Sequence, residues 1–294
     1  MSSNESTKGT ILSRRPALGR ERWGVIGSIA PARRRLTIMT ALSAAIGVLL
    51  AVLVGAQPVE ARATLASSVT TEVRNTLAMC DADVVLLTLR GTAEDDAPTG
   101  TTMGALQAVA RADQELEVYA HTVDYPAIAY SLGGTYFTSL RTGTENLRKA
   151  VIDTAAACPT ADLALAGYSQ GAQAVGDLLA GTDVEPLPEN VASRIVGVAL
   201  LADPSYRSGE PWNASTDTRA RSGWFIRAAG AFADWTAAAG STGGQAASLV
   251  RSWCLSGDRF CSSGLGVDAD AIHGSYATVI SSEVWEFLRT RAVD

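Results

Sequence analysis

Short apolar runs and longer amphipathic stretches take turns along most of this chain. Val84-Val85-Leu86-Leu87-Thr88-Leu89 is apolar at all but one position and ends on Arg90-Gly91, the pattern of a strand covered on both faces. Leu116 to Ala120, Leu163 to Ala166 and Ile195 to Ala202 repeat that pattern. Helical spacing fills the gaps, over Thr102 to Gln114, Thr144 to Ala157 and Ala172 to Leu179. In the second of these Leu147, Val151 and Thr154 share a face while Arg148 and Lys149 turn outward. A last helix is expected over Ser282 to Arg291. Alternating strands and helices predict an α/β fold, a parallel sheet with helices on both faces. Sites in such sheets form at the carboxyl ends of the strands, where Arg90-Gly91-Thr92, Ser169 and Asp203 fall.

Residues 204–250 break the rhythm, being rich in Ser, Gly, Thr and Ala, with a loop signal at Gly240-Ser-Thr-Gly-Gly244. Trp224, Ala228, Phe232 and Trp235 recur there at helical spacing. Two readings stay open: a helix laying its aromatic face on the core, or a flap or apolar rim that meets a lipid-like substrate. Asn213-Ala214-Ser215 matches a glycosylation sequon, a tripeptide common enough to carry little weight.

Charge divides the chain. The first 56 residues hold eight basic and two acidic side chains, which leaves 16 basic against 28 acidic, a net −12, in residues 57–294. After the basic leader 1–35, Leu36 to Ala56 runs for 21 residues without a charge, enough to cross a bilayer as a helix. Arginines ahead of such a run stay in the cytoplasm, so residues 57–294 are expected outside it, secreted or membrane-anchored. Val54-Gly55-Ala56 suits a signal peptidase, and the length of the run suits a retained anchor; the balance tilts to cleavage. The acidic remainder makes nucleic acid a poor partner, and membrane contact is expected only through 36–56. Cys80, Cys158, Cys254 and Cys261 all come after the apolar run, and an even count in an oxidising compartment reads as two disulfides, with three pairings open. No Cys-x-x-Cys or nearby histidine suggests a metal, and no cofactor is called for.

Gly167-Tyr168-Ser169-Gln170-Gly171 closes one strand and opens a helix. A serine on so tight a turn is pushed clear of the fold, and a Cβ on either glycine would strike the neighbouring strand or helix. Such a hydroxyl needs a base, and the base needs an acid to fix its tautomer. Of the two histidines, only His273 follows Ser169; His121 precedes it at a strand end and is read as structural or as lying at the cleft edge. Asp258, within Cys254-Leu255-Ser256-Gly257-Asp258-Arg259-Phe260-Cys261, is the favoured acid, since a bridge across that octapeptide would fix the carboxylate's direction. Asp203 is the chief rival, expected instead to bond backbone before Pro204; Asp268 and Asp270 stand too near His273.

Four segments together resemble the cutinase family of serine esterases: Cys80-Asp81-Ala82-Asp83 running into Arg90-Gly91-Thr92-Ala93-Glu94, Cys158-Pro159 leading to the serine turn, Cys254 to Cys261, and His273 with Tyr276. The resemblance spans roughly residues 75–291. It implies a three-layer sandwich around a mainly parallel five-stranded sheet, and disulfides Cys80–Cys158 and Cys254–Cys261. It also implies a Ser169–His273–Asp258 triad and an oxyanion hole from the backbone N–H groups of Gln170 and Thr92. Many members carry serine where Thr92 stands, and compact ones have a shorter stretch than 204–250. The expected activity is hydrolysis of carboxylic esters, lipid-like or polymeric, by a monomer without metal or cofactor. The alternatives are a silent binding protein on the same fold, or a hydrolase of phospholipid or thioester bonds.

Overall fold

The structure is a computed structural model that describes residues 71–292 except 95–97, 131–133, 215–218, 234 and 236–248. The leader and the apolar run 36–56 lie outside the described residues, as does Ser215 of the sequon. Five strands form one sheet: β1 (Val84–Leu89), β2 (Val118–Thr122), β3 (Asp162–Tyr168), β4 (Ile195–Leu201) and β5 (Val250–Trp253). Their order is β2-β1-β3-β4-β5 and every pairing is parallel. The helices are α1 (71–81), α2 (Thr101–Arg111), α3 (Thr135–Ala157), α4 (Gln170–Ala180), α5 (Glu189–Ala192), α6 (Ala269–His273), α7 (Tyr276–Val279) and α8 (Ser281–Ala292).

Period-two alternation in the strands builds two cores. Val85, Leu87 and Leu89 of β1 face α3 and α4, joined by Leu147, Val151 and Leu178. Val84 and Leu86 point the other way, toward Met103 and Leu106 of α2 and Val284 and Leu288 of α8. The three-layer sandwich follows from that division. Each such fully buried aliphatic side chain contributes about 1.5–3 kcal/mol. In this strand order the chain reverses direction between β1 and β3, which opens a crevice at their carboxyl ends.

Several boundaries differ from the sequence pattern, each for a physical reason. Helix α3 begins at Thr135 rather than Thr144, because its first turns bury Tyr136, Ser139 and Leu140. Its Gly143 reads as a breaker, yet a Cβ there would stand 2.8 Å from the Tyr125 ring, so the residue permits close packing. Strand β2 starts two residues late, since Asp113 Oδ1 accepts the N–H groups of Glu115 and Leu116 and holds them in a turn. Strand β5 has only four residues, one of them Arg251, and gave no apolar run to read.

The helical spacing from Trp224 to Trp235 is not realised over most of its length: residues 219–232 run as turns and irregular chain, with helical geometry only at Ala233 and Trp235. Phe232 and Trp235 nevertheless pack into the first core, as the packing alternative required, while Trp224 is 45% exposed. Asn213 is turned inward, its Nδ2 donating to the carbonyl of Arg207. Among the described residues no helix is long and apolar enough to cross a membrane.

Candidate active site

The crevice holds three side chains from three distant segments. Ser169 follows β3 and precedes α4 with φ 53° and ψ −120°, a strained conformation for a residue with a Cβ. It is fixed from both sides, its N–H donating to the Leu201 carbonyl at 2.8 Å and its carbonyl accepting the N–H of Gln173 at 3.0 Å. The glycines do what the sequence suggested. A Cβ on Gly167 would lie 2.4 Å from the Gly171 carbonyl oxygen, and one on Gly171 would lie 2.3 Å from that of Leu89.

His273 ends α6 with Nε2 3.0 Å from Ser169 Oγ and Nδ1 2.9 Å from Asp258 Oδ2. A carboxylate only accepts, so the proton sits on Nδ1 and Nε2 is left to accept from the serine hydroxyl. Asp258 is fully buried, and its Oδ1 accepts the N–H groups of Phe260 and Cys261 at 2.7 and 3.0 Å. The Cys254–Cys261 bridge closes this loop. Arg259 clasps Asp270 with two bonds, of 2.9 and 2.7 Å, tying the loop to the helix that carries the imidazole. The Cys80–Cys158 bridge lies elsewhere, between α1 and the end of α3.

The rejected acids are occupied otherwise. Asp203 bonds the N–H of Ser205 at 2.7 Å and Arg227 at 2.6 Å, the backbone role expected of it. His121 is exposed on β2, opposite Leu87 of β1, and does not line the cleft.

Glu94, Tyr168 and the aromatic residues Tyr130, Tyr136, Phe225 and Phe260 take roles that no sequence pattern assigned to them, while Trp224 lines the cleft as the rim reading expected. Glu94 accepts the N–H of Gly91 at 2.7 Å and those of Thr101 and Thr102 at 3.0 and 3.3 Å, so it staples the Thr92 turn to the first turn of α2. Ala93 N–H donates to the Ala127 carbonyl at 3.1 Å, whereas the Thr92 N–H makes no hydrogen bond among the described residues. The Gln170 side chain bonds the Ile128 and Tyr136 carbonyls and Ser139 Oγ, which anchors the start of α4. Tyr168 stacks on His273 at 5.2 Å and donates to its carbonyl at 2.6 Å. Burial, helped by the Glu94 and Asp258 charges, pushes the Tyr168 phenol above its ordinary pKa and keeps it a donor. The only signals in the sequence were an acid three residues after Gly91 and an aromatic beside the serine.

Around these groups opens a cleft of about 610 Å³. Its lining includes two groups of rings in contact, Tyr130 and Tyr136 with Phe225, and Trp224 and His273 with Phe260, together with Thr92 and Ser169. Among the described residues no cluster of His, Cys, Asp and Glu could hold a metal ion.

A sequence profile described as Cutinase matches residues 79–292. The chain belongs to the cutinase family. "Cutinase 11" of Verticillium dahliae is 28% identical over 184 residues, covering 58% of this chain and 57% of that protein. The "Acetylxylan esterase" of Hypocrea jecorina is 26% identical over 184 residues, covering 58% and 56%. This cutinase-family chain therefore matches little more than half the length of those relatives. Among solved structures, the catalytic core domain of an acetyl xylan esterase from Trichoderma reesei superposes with a TM-score of 0.57 at 23% identity. That superposition covers 72% of this chain and 99% of that one, a likeness of fold.

Proposed function

We propose that this chain hydrolyses carboxylic esters through an acyl-enzyme on Ser169, with His273 as general base and Asp258 as its orienter. The observation that carries the reading is the unbroken relay, 3.0 Å and then 2.9 Å, at the bottom of an aromatic cleft. Ser169 Oγ attacks the ester carbonyl while its proton passes to His273 Nε2. The oxyanion forms between the N–H groups of Thr92 and Gln170, each such donor being worth about 10²–10³ in rate. The C–O bond to the alcohol then breaks, and His273 returns the proton to the leaving oxygen. Water, deprotonated by the same nitrogen, attacks the acyl carbonyl and frees the acid and Ser169.

Family membership supports an ester as the bond, and the aromatic lining supports a lipid-like or polymeric substrate. The names of the relatives put cutin-type polyester and acetylated polysaccharide among the candidates. Two disulfides suit an oxidising compartment, and the arginine-led run 36–56 supplies a route out of the cytoplasm, cleaved or retained as an anchor. The test is a fluorophosphonate probe: labelling mapped to Ser169, lost in Ser169→Ala, is expected. An unlabelled, folded protein would mean a binding module on an esterase fold.

A further inference from the structure

The aromatic wall of the cleft has a second side. A groove of about 440 Å³ lies beyond it, between α3, α4 and the turns after β4, with Leu140, Ala180, Ile226, Ala228 and Ala231 among its lining. Phe225 borders both spaces. Its ring meets Tyr136 at 5.7 Å, on the cleft side, and Phe137 at 5.3 Å, on the groove side. Tyr130, Phe137 and Ile226 are 54%, 46% and 48% exposed, so an apolar crest joins the two spaces. Thr182 and Asp183 also line the groove and are exposed, while the inner polar groups of its floor are turned on one another. Arg227 donates to Asp177 at 2.9 Å and to Asp203 at 2.6 Å, Gln173 accepts from Tyr136 Oη at 2.7 Å, and the Ser205 N–H is held by Asp203. A hydrocarbon chain laid over that floor strips no hydrogen bond from these groups.

We propose that this groove is an accessory subsite for the distal part of an apolar chain on the ester, which leaves the cleft over Phe225 and settles against Ile226, Ala228 and Ala231. The proposal rests on the esterase reading above and narrows its substrate to esters with one long hydrocarbon arm. Continuity carries the argument: a substrate seated at Ser169 that outgrows the cleft meets Phe225 as its wall, and over that crest the apolar surface continues into the groove. Each methylene buried there adds about fourfold in binding, so Phe225 and the groove behind it set chain-length preference.

The experiment uses two ester series, at concentrations where every ester is dispersed. One lengthens the acyl arm, from p-nitrophenyl butyrate to palmitate; the other keeps an acetyl group and lengthens the alcohol. Each variant is read as its own ratio of kcat/KM for the longest ester to that for the shortest. Ala228→Trp and Ala231→Phe fill the groove, and Phe225→Ala lowers the crest. The ratio is expected to fall about tenfold or more in both filled variants and to rise in Phe225→Ala, in one series only, which identifies the arm. Ala228 is exposed, so its variant decides the matter if Ala231→Phe fails to fold. Ratios within twofold of the parent in both series, with short esters still hydrolysed, would overturn the subsite and leave the esterase standing. No turnover of any ester and no fluorophosphonate labelling would remove both.

Discussion

Ser169→Ala is expected to lower kcat about a million-fold, as triad removal does in other serine hydrolases. Unfolding should shift by under about 1 kcal/mol, because alanine inherits the same backbone and loses one hydrogen bond. Retention of a tenth of the activity would point to another nucleophile. Glu94 supplies a subtler test. In Glu94→Gln one carboxylate oxygen becomes an NH₂ group that cannot accept, so either the Gly91 N–H or those of α2 lose their partner. The Thr92 turn should loosen, and kcat should drop about tenfold while KM moves less; equal losses in both would assign Glu94 to binding. Ser169 and His273 were legible from glycine spacing and chain order, because only two histidines exist and one follows the serine, whereas Asp258 was favoured over Asp203 by the cysteines that bound its loop. Glu94 and Tyr168 were not legible, since their partners are backbone groups that no side-chain pattern announces. Thr92 was placed at a strand end by the apolar pattern, but its oxyanion role was expected only through the family resemblance.

Arg227 shows how an irregular segment is held against regular ones. With its side chain only 9% exposed, it pins the turn carrying Trp224 and Phe225 to α4 through Asp177 and to the end of β4 through Asp203. The approach is so close that a Cβ on Gly176 would lie 2.5 Å from the guanidinium. Arg227→Met should destabilise the fold by about 3–5 kcal/mol, because two buried carboxylates lose their partner; a smaller loss in urea unfolding would mean that water reaches them. Burial lifts the Asp177 carboxyl from its ordinary 3.8 to about 6, with the Arg227 charge opposing. The native state therefore holds this proton more tightly than the unfolded chain. Its contribution to stability is greatest below the ordinary value and declines as pH rises toward 6. Asp177→Asn should remove that slope, flattening the urea midpoint between about pH 4 and 7; an unchanged slope would mean other groups produce it. Strands β1, β3 and β4 were readable because burial on both faces leaves a continuous apolar run. The turns after β4 were not, because tertiary contacts alone hold Phe232 and Trp235 inward.

Across the whole molecule the two disulfides divide the labour. Cys80–Cys158 spans 78 residues and joins the segments that enter β1 and β3, at the end of the sheet opposite the cleft. A loop of that length is worth about 4–5 kcal/mol of chain entropy, so replacing both cysteines by serine should lower stability by about 2–5 kcal/mol with little change in kcat. Cys254–Cys261 spans only seven and encloses Asp258. Its removal should cost less stability and more turnover, and the reverse pattern in paired melting and rate measurements would refute this assignment. The short bridge also has a bearing on timing. A chain whose thiols are still reduced carries its serine but no steadied carboxylate behind the imidazole. On the proposed export route, maturation and awakening would be one event, which spares the producing cell's own lipids until translocation is complete.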